Sequence, residues 1–280
     1  MSTRSRLRVY FAALLLAAAA VSPLHAANFC VSTGEQLYDA LATATVNGQP
    51  DEIRIEYGTL TNISAPLLEP RWVVDVTDNS NLVLSGGWTK GNNCASLATE
   101  SPEATVLDAQ YWSPVLEVRP SLGFNAAIMI RNLTLARGKL KNCYPGCFAG
   151  LWVNVEALPS ASVTVDNVLV RHSQVAAGKN ADVASFTMTG GGTLRLRNSI
   201  FMGNDLSAGD QTAGVSVHVD SNTVAYVTNN TIFGNTVTLE HAGLSAEGNV
   251  TLSNNAIADN TSTGASPIQF STYNVSMMTL

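Results

Sequence analysis

Asparagine returns at the same places in a repeating pattern: "NSIFMGN" at 198–204, "NNTIFGN" at 229–235 and "NNAIADN" at 254–260. Aligned on the first Asn of each unit, Asn132, Asn167, Asn198, Asn229 and Asn254 stand 35, 31, 31 and 25 residues apart. Periods of that length mark a solenoid, in which each repeat buries its apolar side only against its neighbours. Each unit reads as a strand, an Asn turn, a short strand, a loop and a further strand. "VTVDN-VLVRHS", "LRLRN-SIFMGN", "VAYVTN-NTIFGN" and "VTLSN-NAIADN" supply the first two strands. "GLWVNVE" at Gly150, "ASFTMT" at Ala184, "AGVSVHVD" at Ala213 and "AGLSAEG" at Ala242 supply the third. Three short strands per period coil the chain about an axis, each strand parallel to its counterpart and about 4.8 Å above it. Asn tolerates the left-handed backbone of a tight corner. Its amide both donates and accepts, so Asn167, Asn198, Asn229 and Asn254 are expected to stack as a ladder along one edge.

Alternation within the strands gives the inside and the outside. In "VSVHVD", Val215, Val217 and Val219 face inward while Ser216, His218 and Asp220 face outward. Residues 51–270 are expected to form this all-β coil. Before it, "STGEQLYDALATATVNGQ" is the one helical pattern. Ser32 and Glu35 have capping-box spacing, Leu37, Ala40, Leu41 and Ala44 share a face, and Gly48 offers a stop. Residues 27–50 therefore read as an N-terminal cap with an amphipathic helix, needed because an open coil end exposes unpaired backbone. Residues 271–280 read as a tail.

The start of the chain has another character. Arg4, Arg6 and Arg8 precede the short apolar run Val9–Val21, and Ala26 offers a small residue for cleavage, so residues 1–26 read as a secretory signal. Its removal takes the formal charge from −6 to −9. An acidic mature chain without clustered Lys or Arg argues against nucleic acid and anionic lipid as partners, and no membrane span is expected in it. Four cysteines in an exported chain favour two disulfides, out of three possible pairings. The Pro-Gly turn of "CYPGC" suits Cys143 with Cys147, which leaves Cys30 with Cys94.

On these repeats the chain resembles the pectin-lyase-like right-handed parallel β-helix proteins. "FMGN" at 201–204 followed by "AGV" at 213–215 is also similar to the FxxN and GGxI repeats of polymorphic outer-membrane proteins. The resemblance covers about residues 50–270. It implies a single right-handed parallel β-helix with three strands per coil and a helix closing the N-terminal end. It says little about activity, because the same repeat carries lyases, hydrolases and adhesins. The "NTD", "DD", "GHG" and "RIK" strings of polygalacturonases are absent here, and the nearest echo, "VRHS" at 170–173, reads as a polar exit from a strand.

Stacking the third strands gives the candidate chemistry. One outward column reads Asn154, Thr187, His218, Glu247, a second Trp152, Ser185, Ser216, Ser245, and a third Glu156, Thr189, Asp220. His218 beside Glu247, with Asp220 two residues along, has the composition of a general acid/base pair or a cation site. The ordinary reading is a solvated polar face. Trp152, Asn154 and Glu156 are candidate ligand contacts, Trp152 by stacking on a sugar ring. No metal and no cofactor is expected; calcium lacks a supporting ligand set, since "GNDLSAGD" at 203–210 has the wrong spacing for an oxygen-ligand loop. The expectation is a secreted or cell-surface protein, non-catalytic, contacting an extracellular polysaccharide or a surface protein. The alternative is a polysaccharide lyase or glycoside hydrolase working along the stacked strands.

Overall fold

A computed structural model describes residues 26–62, 71–142, 147–239, 241–264, 266–273 and 277–279. Residues 1–25 of the expected leader, Cys143 and part of the expected tail lie outside them. The described residues are 54% strand and 6% helix. Its strands build a 14-stranded and a 7-stranded sheet, and every pair of named strands in both is parallel. The long strands from residue 127 on visit the two sheets in turn. Ala127–Ala136 lies in the long sheet, Phe148–Glu156 in the shorter one, Ser162–Arg171 in the long one and Ala181–Thr189 in the shorter one. Each return adds a strand beside the previous visit.

Alternation decides which residues are inside. Ile53, Leu84, Ile130, Val165, Leu196 and Val227 follow one another in register across the long sheet, and each is at most 1% exposed. Trp72, Leu116, Leu151, Ala184, Val215 and Leu244 do the same across the shorter sheet. These columns face one core. Each Val, Leu or Ile side chain among them contributes about 1.5–3 kcal/mol on burial.

The corners explain the asparagines. Asn132, Asn167, Asn198, Asn229 and Asn254 have φ of 56°, 55°, 52°, 57° and 54°. Each bends the long sheet by one left-handed residue. Their side chains form an interrupted outer series: Asn167 Nδ2 donates to Asn132 Oδ1 (2.9 Å), Asn229 Nδ2 to Asn198 Oδ1 (3.4 Å), and Asn198 Nδ2 to Asp166 Oδ1 instead (2.7 Å). The continuous buried ladder runs through the last Asn of each motif. Asn204 Nδ2 donates to Asn235 Oδ1, Asn235 Nδ2 to Asn260 Oδ1 and Asn260 Nδ2 to Gln269 Oε1, at 2.8, 2.8 and 2.9 Å. Each oxygen also accepts from the backbone N–H of the residue below it. A shorter inner ladder links Ser199 N–H to Asn230 Oδ1 and Asn230 Nδ2 to Asn255 Oδ1, both at 3.0 Å. The residue before the buried Asn is also left-handed, as Gly203, Gly234 and Asp259. His172 of "VRHS" has φ 56° at the equivalent corner, the polar exit its sequence suggested.

The helix spans Gly34–Ala44 and buries Leu37, Ala40, Leu41 and Ala44. Its capping box is Thr33 with Gln36, one residue on from Ser32 and Glu35. Ser32 directs its own N–H and hydroxyl to Gln36 Oε1 (2.8 and 3.0 Å), so it supports the cap from outside. The helix ends at the Thr45 cap, before Gly48. Its buried face lies on Trp72, whose indole N–H donates to Gly34 O (3.4 Å) and whose ring stacks on Tyr38 at 6.0 Å.

A disulfide joins Cys30, in the first strand Ala27–Val31, to Cys94 across 64 residues. Cys147 is also disulfide-bonded. Cys30, Glu56 and Cys94 are the one cluster of potential metal ligands among the described residues, and the disulfide consumes both thiols. Among the described residues, no helix is long and apolar enough to cross a membrane.

Candidate functional site

Parallel register converts alternation along a strand into columns across a face. On the outside of the 7-stranded sheet, Trp152, Ser185, Ser216, Ser245 and Ser271 stand in register. Two residues along, Asn154, Thr187, His218, Glu247 and Tyr273 form a second column. Glu156 and Thr189 pair at the start of a third. Neighbouring side chains in a column are about 4.8 Å apart. The result is a polar strip with aromatic rings near both ends; Tyr273 is 66% exposed.

His218 Nδ1 lies 3.0 Å from Glu247 Oε2, and both side chains are half exposed. Water screens a pair this open, so it contributes little to stability. Asp220 is committed elsewhere. Its carboxylate accepts from the backbone N–H groups of Gly190 (2.7 Å), Asn222 (3.1 Å) and Thr223 (3.0 Å). Burial, which raises an acid, is outweighed by these bonds, and Asp220 is held below the usual carboxylate range. It ties the glycine corner 190–192 to the next turn of chain.

At the N-terminal end of the face, Glu117 precedes Trp152 in its column and is fully buried. It is ion-paired with Arg71 and, at 3.1 Å, with Arg119. A buried carboxylate needs such partners, because without them its charge would be stranded away from water. Asn154 and Glu156 line a cavity of about 330 Å³ together with Asp75, Arg119, Ser121 and Thr189. Trp152 lies on the same strand as Asn154 and Glu156, its ring stacked on Phe148 at 5.5 Å and 23°.

One polar residue of this face was not legible in the alternation. Asp182 and Ser185 are both partly exposed, while Val183 and Ala184 between them are both fully buried. The adjoining strand carries an extra residue between Phe148 and Leu151, opposite this stretch. Asp182 joins the outer face instead of the core. Ser216 Oγ donates to its Oδ2 at 2.6 Å, and Ser185 also hydrogen-bonds to it. Burial raises its carboxyl to about 6, against the lowering effect of the two serines.

Comparison with protein-family models, with curated proteins and with solved structures gives no match.

Proposed function

We propose that the chain is exported after cleavage near Ala26 and winds into a right-handed parallel β-helix with three strands per coil. Its outer polar strip is a non-catalytic contact surface for an extracellular polysaccharide. The observation that carries this reading is the register of the 7-stranded sheet. It sets hydroxyl, amide, imidazole and carboxylate groups in straight columns between Trp152 and Tyr273. A polysaccharide is an extended polymer of hydroxyls with apolar ring faces, and it matches a long strip of hydrogen-bonding groups with aromatic rings along it. The disulfide at Cys30–Cys94 suits an oxidising compartment. The His218–Glu247 contact favours a second reading, a lyase or glycoside hydrolase with this pair as acid and base. Asp220, occupied by three backbone N–H groups, takes no part in either reading.

The test is affinity electrophoresis of the purified chain in gels containing soluble neutral or acidic polysaccharides, with an assay for new reducing or unsaturated ends. Retardation by at least one polymer, without new ends, is the expected result. Equal mobility in every gel overturns the surface reading. New chain ends that disappear in His218→Ala replace it with the enzymatic one.

A further inference from the structure

We propose that Trp152, Asp182, Ser185 and Ser216 form a subsite that holds two adjacent hydroxyl groups of one neutral sugar residue. This rests on the polysaccharide-contact reading above and locates its point of tightest recognition.

The inward turn of both Val183 and Ala184 is a local departure from alternation, and its effect is to bring a carboxylate into a column of small hydroxyls. The same pattern recurs one strand on, where Gly214 and Val215 are both buried between Ala213 and Ser216. Ala213, the register partner of Asp182, carries only a methyl side chain. Phe148 lies below Asp182 and anchors the Trp152 ring by stacking.

The donors around Asp182 are neutral. Ser216 and Ser185 hydrogen-bond to it, Phe148 and Ala213 face it from the adjoining strands, and its shift carries no contribution from another ionised group. The nearest titratable side chain in the second column of that face, His218, is engaged by Glu247. An ionised carboxylate accepts about four hydrogen bonds, so the two serines leave room for two more. Neighbouring hydroxyls on a sugar ring supply two donors at the spacing of two carboxylate oxygens. The serine oxygens keep lone pairs for a hydroxyl that donates to them. Trp152 covers the apolar ring face. An acidic sugar fits poorly here, because it would bring a second negative charge to an acid that already lacks a cation.

A partly buried carboxylate with no cation beside it is also costly to the fold. Burial holds it at about 6, well above an ordinary aspartate, although Ser or Asn at this position would satisfy Ser216 as well. Groups kept at such a cost concentrate at binding sites.

The test uses the full chain with soluble glucan, mannan, xylan and galactan as probes, and compares Asp182→Asn, Trp152→Ala, Trp152→Phe and Tyr226→Ala. Tyr226 is exposed on the other sheet and serves as the control. Circular dichroism establishes that each variant is folded. For the polymer that retards wild type, Asp182→Asn and Trp152→Ala are each expected to weaken binding by about tenfold or more, and Trp152→Phe and Tyr226→Ala by less than about threefold. Between pH 7.5 and pH 5, wild-type binding should fall about tenfold as Asp182 protonates, and Asp182→Asn binding should be flat. Wild-type affinity in folded Asp182→Asn overturns the subsite and leaves the polysaccharide reading standing. Absence of retardation by these polymers and by the acidic polysaccharides overturns both, and retardation by acidic ones alone overturns the subsite. Preference for a cationic polymer such as chitosan over all neutral ones overturns the hydroxyl assignment.

Discussion

Replacing Asn235 with Ala removes the middle of the buried amide ladder. Asn235 Oδ1 accepts from the backbone N–H and from Nδ2 of Asn204 (3.2 and 2.8 Å), and its Nδ2 donates to Phe201 O and Asn260 Oδ1 (3.0 and 2.8 Å). The substitution leaves four polar groups short of a partner, at positions no more than 1% exposed, where water does not readily replace them. At about 1–1.5 kcal/mol each, the expected loss is about 4–6 kcal/mol. Asn229→Ala makes the informative contrast. That residue shares the left-handed backbone, with φ 57°, but its side chain makes one long contact of 3.4 Å. Its loss should be about 1–2 kcal/mol, the cost of placing Ala in that conformation. Urea unfolding at pH 7, followed by tryptophan fluorescence, measures both. Losses equal within about 1 kcal/mol, or a larger loss at Asn229, would refute the assignment of the ladder to the last Asn of each motif.

Three further outcomes follow from the same contacts. The folded pKa of Asp182, about 6, lies above its ordinary 3.8, so its protonated form supports the fold fully below about pH 4 and that support is lost as pH rises through 6. Asp182→Asn should therefore gain stability relative to wild type, by about 3 kcal/mol between pH 4 and pH 7.5, in urea titrations across that range; a difference independent of pH contradicts this. Opening the Cys30–Cys94 disulfide frees a 64-residue separation, so the Cys30→Ala/Cys94→Ala variant should lose about 4 kcal/mol in urea unfolding, and an unchanged midpoint contradicts it. Gly248→Ala places a Cβ 1.8 Å from Val219 O at φ 97°, whereas Gly234→Ala meets open space at φ 63°. The first should lower the melting temperature several times more than the second, whose cost is about 1 kcal/mol, and equal shifts refute the close approach.

The stacked parallel strands were legible because a period of about 31 residues and strict alternation leave few other ways to bury Val and Leu. The outer columns through Trp152 and His218 followed from aligning third strands alone, since parallel register preserves sequence alignment. Which Asn is buried did not follow. "NNTIFGN" offers three, and composition does not say which amide points inward. The left-handed bend at Asn229 turns its own side chain out, while Asn230 and Asn235 turn in. The helix cap slipped by one residue because Ser32–Glu35 and Thr33–Gln36 both have capping-box form. The structure selects the second, with Val31 buried as the last residue of the first strand. Asp182 was hidden for a related reason: Val183 and Ala184 are both buried, which breaks the alternation that would have assigned it a face, and nothing in "ADVASF" announces the break.

Hydroxyl-radical footprinting of the chain, alone and with the polysaccharide that retards it, locates the contact surface most directly. Protection of Trp152, His218 and Tyr273, with Met202, Tyr226 and Phe233 on the other sheet unprotected, is the expected result. Protection of Met202, Tyr226 and Phe233 with Trp152 and Tyr273 unchanged would contradict a binding face on the 7-stranded sheet.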